Sequence, residues 1–191
     1  IKDNNNKYIG GSYLNNQIND FIKNFDMYYI NLDKYKKRKE YFNKTTAKIK
    51  KLYPNYNVNR FNAINGINID KNEIDKIHNM CKKKNLKTLK PGQIGCSLSH
   101  YNIWEKKNID KYLLILEDDI NININIINKL YNIFPELPDD WDVLLLGWRH
   151  IFKRDKRRLK YIHKYNKNIP ISKHIDKTII PFHGAHAYIV N

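Results

Sequence analysis

Cysteine is scarce. Cys81 and Cys96 are the only two in the 191 residues, and their separation matches no metal-ligand spacing, so nothing implies a disulfide framework and reduced thiols are expected. The chain also has no apolar run near the ~18 to 20 residues that span a bilayer, and no basic start followed by an apolar stretch resembles a signal peptide. A transmembrane segment is therefore not expected. Because the sequence begins at Ile1, an upstream leader remains open: the cytoplasm is the expectation for the chain as given, and the endoplasmic reticulum if a leader was removed. There is no internal repeat. Acidic residues are few, 19 Asp and Glu against 35 Lys and Arg, giving a formal charge of +16 and keeping nucleic acid, a membrane surface and phosphorylated small molecules in view as partners. The Asn, Ile, Lys and Tyr enrichment is also what codon drift in an AT-rich genome, such as that of a large DNA virus, produces without any binding role.

Apolar residues are sufficient for folding. Hydrophobic residues make up 41% and aromatics 13%, too many for a disordered chain, and the length suits one globular core. Residues 1–25 are polar and Asn-rich and read as an arm or linker, with the domain spanning 26–191. From there strand and helix signatures alternate. The run Met27-Tyr28-Tyr29-Ile30-Asn31-Leu32 predicts a strand, and residues 34–52 carry a helical stripe through Tyr35, Tyr41, Phe42 and Ile49. Residues 58–64 predict a second strand closed by Asn65-Gly66, and residues 72–84 a helix. After the Pro91-Gly92 break, Ile94, Leu98, Tyr101 and Trp104 recur at helical spacing, with Cys96 and Trp104 read as core. The unbroken runs Tyr112-Leu113-Leu114-Ile115-Leu116 and Val143-Leu144-Leu145-Leu146 predict strands covered on both faces, separated by a helix over 122–134. Residues 183–190 read as two short strands around a turn. The alternation predicts an α/β sandwich with a mostly parallel central sheet.

The sharpest chemical signal is Glu117-Asp118-Asp119 at the carboxyl end of a buried strand, the edge where open α/β sheets bind ligands. In an extended segment Glu117 and Asp119 point the same way and can hold Mg²⁺ or Mn²⁺ against a diphosphate. The plainer reading is that these acids end a strand and cap the next helix.

The chain resembles glycosyltransferase family 25, which includes lipooligosaccharide and procollagen galactosyltransferases. The resemblance rests on Tyr29-Ile30-Asn31-Leu32-Asp33 with Arg38, on Phe61-Asn62-Ala63-Ile64-Asn65-Gly66, and on Gly92-Gln93-Ile94-Gly95-Cys96-Ser97-Leu98-Ser99-His100 with Trp104. It continues through Leu114-Ile115-Leu116-Glu117-Asp118-Asp119 and Trp141-Asp142-Val143-Leu144-Leu145-Leu146-Gly147 to Gly184-Ala185-His186-Ala187-Tyr188. It implies a GT-A-type nucleotide-binding fold that moves a hexose, galactose or glucose, from a UDP-sugar to a hydroxyl on a glycan or protein, collagen-like acceptors included, with inversion.

Roles follow by resemblance. Asn31, Leu32 and Asp33 would line the uridine pocket, with Arg38 pairing Asp33 or reaching a phosphate. Ala63, Asn65 and Gly66 would form the turn beneath the base or ribose, Gly66 allowing a positive φ or close ligand approach. The family usually has Asp where Asn65 stands, which removes a charge. Ser97, Ser99 and His100, near a helix amino terminus suited to anions, would contact sugar or phosphate. Asp118 joins the donor-binding set. Glu117 and Asp119 would hold Mn²⁺, or Mg²⁺, with His186 as third ligand and His183 competing for that place. Asp142 and His183 are the candidate bases. The family normally continues past residue 190 with helices that shape the acceptor side, so the chain reads as a fragment or as one with a reduced acceptor site.

Two other classes stay in view. A glycosyltransferase-like scaffold without activity would keep the fold alone. A nucleic-acid-binding module, the weaker expectation, would use the basic stretch 153–167 with Tyr161 and Tyr165 as stacking platforms.

Overall fold

The computed structural model describes residues 6–123, 125–149, 169–177 and 183–191, with the side chains of 6–12, 148–149 and 183–185 outside that description. The basic stretch 153–167 with Tyr161 and Tyr165 lies outside the described residues. Strand and helix alternate as β1 (Phe25–Asn31), α2 (Lys36–Leu52), β2 (Asn59–Asn62), α3 (Lys71–Lys83), α4 (Pro91–Trp104), β3 (Tyr112–Glu117), α5 (Ile126–Ile133) and β4 (Val143–Arg149), preceded by α1 (Asn6–Ile22). The short pair β5 (Ile169–Pro170) and β6 (Asp176–Lys177) and the strand β7 (His183–Val190) complete the set. No described helix is long and apolar enough to cross a membrane.

The main sheet has the order β2-β1-β3-β7-β4. β1 pairs in parallel with both β2 and β3, whereas β7 runs antiparallel between β3 and β4. Four strands therefore share one direction, which is the mostly parallel α/β sheet the sequence predicts. β3 is buried along its apolar run because both faces are covered. Leu114 and Leu116 enter one cluster with Met27 and Tyr29 of β1, Phe42 and Ile49 of α2, and Ile127 and Leu130 of α5. Leu113 and Ile115 enter a second cluster with Ile103 of α4 and Tyr188 of β7. The sheet is sandwiched between α1, α2 and α5 on one side and α4 on the other.

Several local readings need correction. The segment 1–25, read as a polar arm, contains α1, whose Ile18 and Ile22 are 1% and 2% exposed in the first cluster. These two residues recur at helical spacing, and burying them outweighs the polarity of the rest of the helix. Residues 183–190 form one continuous strand rather than two, and the register with β4 is irregular around Gly147.

The inward face of α4 is turned relative to the predicted stripe. Its buried residues are Ile94, Gly95, Ser99, His100 and Ile103, while Cys96 is exposed and Tyr101 and Trp104 are about half exposed, at 51% and 50%. The reason is backbone proximity. A Cβ on Gly66 would lie 1.8 Å from the carbonyl oxygen of Pro91, and one on Gly95 would lie 2.5 Å from that of Ile64. Small residues must face the 64–66 turn, so the rings are carried outward. Gly66 is thus required by close packing against α4 and not by a positive φ.

Candidate functional site

The carboxyl ends of β1, β2 and β3 meet the beginning of β7 along one edge of the sheet. Ile30 pairs with Glu117, and the antiparallel pairing of Leu116 with Ala187 sets His186 beside Glu117. β3 ends at Glu117, and Asp118 and Asp119 lie in the turn that follows. One ligand atom from each of Glu117, Asp119 and His186 falls within 4.8 Å of the others, so the three predicted metal ligands converge.

His186 is the informative member. Its Nδ1 lies 3.1 Å from Glu117 Oε2. An ionised carboxylate only accepts, so Nδ1–H donates to Glu117, and Nε2 is the nitrogen that carries the lone pair whenever the ring is neutral. That Nε2 is buried and has no hydrogen-bond partner among the described residues. Unpartnered buried nitrogen is unfavourable unless something binds it. A ring held by a carboxylate through one nitrogen, with the other free, is the arrangement that metal-binding histidines use. One nitrogen and two carboxylates fit a divalent ion, and the nitrogen favours Mn²⁺ over Mg²⁺.

Glu117 is held from two sides. Burial works against its charged form, but its polar contacts with His100 and His186 outweigh this and keep its carboxyl below the ordinary value. His100 Nε2 stands 3.7 Å from Glu117 Oε1. Burial opposes protonation of His100, yet its contacts with Cys96 and Glu117 prevail and raise its pKa to about 9. Its Nδ1 is 2.7 Å from the Tyr188 hydroxyl, which also accepts from the Trp104 indole N–H at 2.9 Å. His100 is only 9% exposed, so it faces Glu117 from within and does not reach outward to a sugar or phosphate as had been expected.

Asp118 has an inward role. Asn31 Nδ2 donates to its Oδ2 at 2.6 Å, and Arg38 donates to its Oδ1 at 3.1 Å. Both oxygens are thus engaged by protein and Asp118 is buried, so it fixes the acidic turn instead of facing a donor. Arg38 also approaches Asp119 at 3.6 Å and remains 45% exposed in its side chain. It does not pair with Asp33. That partner is Arg60, at 2.5 Å, which also donates to the Asn31 side-chain oxygen at 3.0 Å and to the Asn31 carbonyl.

The remaining predicted residues divide by location. Asn31, Leu32 and Asp33 stand at the same edge as Ala63, whose N–H donates to the Asn31 carbonyl at 3.0 Å. Asn65 caps the short 3₁₀ turn Gly66–Asn68 through its side chain. Ser99 is fully buried, accepts from the Ile64 N–H at 2.8 Å and donates to the Gly95 carbonyl at 2.7 Å. It ties α4 to the 63–66 turn and has no atom left for a ligand. Ser97 is exposed. The first turn of α4 is closed by Gln93, which accepts from the Lys90 N–H, and by the packing on Gly66, so it is not an open anion site.

Asp142 is displaced from the cluster. It precedes Val143, which is level with Val190 and Leu113, and so it lies at the opposite end of the sheet from Glu117. Strand rise puts about 15 Å between the two levels, which removes Asp142 as a base. The backbone of His183 pairs with Arg149 at the start of β7, and its side chain lies outside the described residues. Arg60 was not anticipated. Nothing in its neighbourhood marks it, because its role comes from the β1–β2 pairing of Tyr29 with Arg60.

Residues 24–191 match glycosyltransferase family 25 (LPS biosynthesis protein), and the chain belongs to that family. It is 33% identical over 82 residues to procollagen galactosyltransferase 1 of Danio rerio, covering 39% of this chain and 13% of that protein. It is 33% identical over 70 residues to a glycosyltransferase 25 family member of Anopheles gambiae, 35% of this chain and 12% of the other. It is 31% identical over 71 residues to the human inactive glycosyltransferase 25 family member 3, 34% of this chain and 12% of that one. The matched stretches therefore span about one eighth of these relatives' lengths.

Proposed function

We propose that the chain moves a hexose, galactose or glucose, from a UDP-sugar to an acceptor hydroxyl, with inversion, and that Mn²⁺, or Mg²⁺, sits among Glu117, Asp119 and His186. The observation carrying this reading is the convergence of one ligand atom each from Glu117, Asp119 and His186 within 4.8 Å of one another at the carboxyl edge of the sheet. When bound, the ion neutralises charge on the diphosphate leaving group.

The chain's own residues do the rest. Leu32, Asp33, Ala63 and Asn65 line the pocket for uridine and ribose, while Asn31, expected there as well, is buried and spends its side chain on Asp118 and Arg60. Arg38 keeps donors beyond those used on Asp118 and offers them to a phosphate. With Asp142 at the far end of the sheet, His183 is the remaining candidate for the base that deprotonates the acceptor. The names of the procollagen relatives make a collagen-like protein one acceptor class, and a glycan the other.

A UDP-release assay across a panel of UDP-sugars, with and without Mn²⁺, tests the reading. Asp119→Ala should abolish release, and unchanged turnover would remove the metal from it. A second reading, a scaffold that keeps the fold without activity, is supported by the human relative named as inactive. Neither UDP release nor UDP binding in the panel would favour that one.

A further inference from the structure

The sequence offers Cys96 no cysteine partner, yet the fold gives it two other ligand types. Cys96 and His100 are one helical turn apart on α4 and both reach toward β3. One ligand atom from each of Cys96, His100 and Glu117 lies within 4.8 Å of the others. The 3.7 Å between His100 Nε2 and Glu117 Oε1 is long for a hydrogen bond. It is close to the separation of two ligands on one tetrahedral ion with bonds of about 2.0–2.2 Å.

We propose that Cys96, His100 and Glu117 form a second cation site, selective for a soft divalent ion of the Zn²⁺ class and joined to the Glu117–Asp119–His186 group through the shared carboxylate. Sulfur, imidazole and carboxylate together are a zinc-type donor set. The support behind His100 is already built. With Nδ1–H donating to the Tyr188 oxygen, whose other lone pair accepts from Trp104, Nε2 is left as the ligand atom. Cys96 is exposed, so an ion can enter from solvent and keep water in its fourth position. Binding forms Zn–S, Zn–N and Zn–O contacts and sends the Cys96 thiol proton and any Nε2 proton to solvent.

The site itself stands apart from the transfer reading; only its effect on turnover rests on that reading. Glu117 offers Oε2 to His186 and Oε1 to His100. An ion on one side therefore withdraws carboxylate charge from the other, and Zn²⁺ should weaken Mn²⁺ binding.

The experiment uses the full chain with Co²⁺ as a spectroscopic probe and Zn²⁺ as competitor. A thiolate-to-cobalt charge-transfer band should appear, be erased by Zn²⁺, vanish in Cys96→Ser, and persist in both Cys81→Ser and Asp119→Asn. Zn²⁺ affinity should fall by about 100-fold or more in Cys96→Ser, since losing even an outer-shell partner costs about 10–100-fold. No thiolate band, a band lost with Cys81 instead, or unchanged Zn²⁺ affinity in Cys96→Ser would overturn the proposal. In the turnover arm, Zn²⁺ should suppress Mn²⁺-stimulated UDP release and Cys96→Ser should relieve it. If the chain transfers no sugar at all, the cobalt spectrum still reads the site.

Discussion

Asn31 and Asp118, 87 positions apart in sequence, share a buried hydrogen bond of 2.6 Å between their side chains. The end of β1 is thereby fastened to the turn after β3, and Glu117 and Asp119 flank the fastened residue. Asn31→Ala leaves Asp118 Oδ2 without its partner in a buried place. A loss of about 1.5–3 kcal/mol is expected, as for a hydrogen bond to a charged group. Denaturant unfolding measures it, and a change below ~0.5 kcal/mol would mean the contact is not formed in solution.

Gly66 and Gly92 make a controlled pair. An added Cβ at Gly66 meets Pro91 oxygen at 1.8 Å, whereas one at Gly92 meets nothing within 4 Å. Gly66→Ala should lose about 3 kcal/mol or more by forcing α4 off the turn. Gly92→Ala, inside a helix, should be neutral or gain up to about 1 kcal/mol. Thermal or chemical unfolding of the two variants checks the contrast.

Removing the polar start of the chain should not be neutral. Ile18 is 1% exposed and Ile22 is 2% exposed. Ile18→Ala is expected to lose about 2–4 kcal/mol through a cavity in the main cluster. If the residues before 24 were a loose arm, unfolding would be unaffected.

Stability should depend on pH through His100. Its folded pKa of about 9 lies above the ordinary 6.5, so its contribution is complete below about pH 6.5 and fades as pH rises through 9. Glu117 has the opposite sign: its pKa is depressed below 4.5, so its contribution is present above that value and is lost on acidification. Unfolding free energy measured from pH 6 to 10 should fall, by at most about 3 kcal/mol from His100, and His100→Gln should flatten that slope.

Asp119→Asn keeps the shape of an exposed side chain but removes one anionic ligand. Mn²⁺ affinity should fall by about tenfold or more, read by water-proton relaxation, while unfolding stays within ~0.5 kcal/mol because Asp119 is exposed. Equal Mn²⁺ affinity would detach Asp119 from the metal group.

The alternation of elements was legible because buried strands such as 112–116 are apolar throughout and the helices between them have their own period. The convergence of Glu117, Asp119 and His186 was legible because two carboxylates lie at the end of a buried strand and the family resemblance points to His186. What escaped depends on contacts between distant backbones. The inward turn of α4 follows from Gly95 meeting Ile64, which no period within α4 records. Asp142 resembled a base candidate until strand register put it at the far end of the sheet. Arg60 and Asp33 meet only because β1 and β2 pair. Cys96 was judged by its distance from Cys81, although its relevant neighbours are a histidine one turn away and a glutamate on another element.

The place of β7 between β3 and β4 sets an order on assembly. Among the described strands β4 is bonded within the sheet only to β7, so it cannot dock there until the strand carrying His186 has inserted. These are contacts of long sequence separation, which close late in folding. An ion held by Glu117 and His186 would bridge the β3–β7 seam itself. Metal concentration would then act as a folding variable, and amides of β4, remote from the ion, would gain protection from hydrogen exchange when it binds.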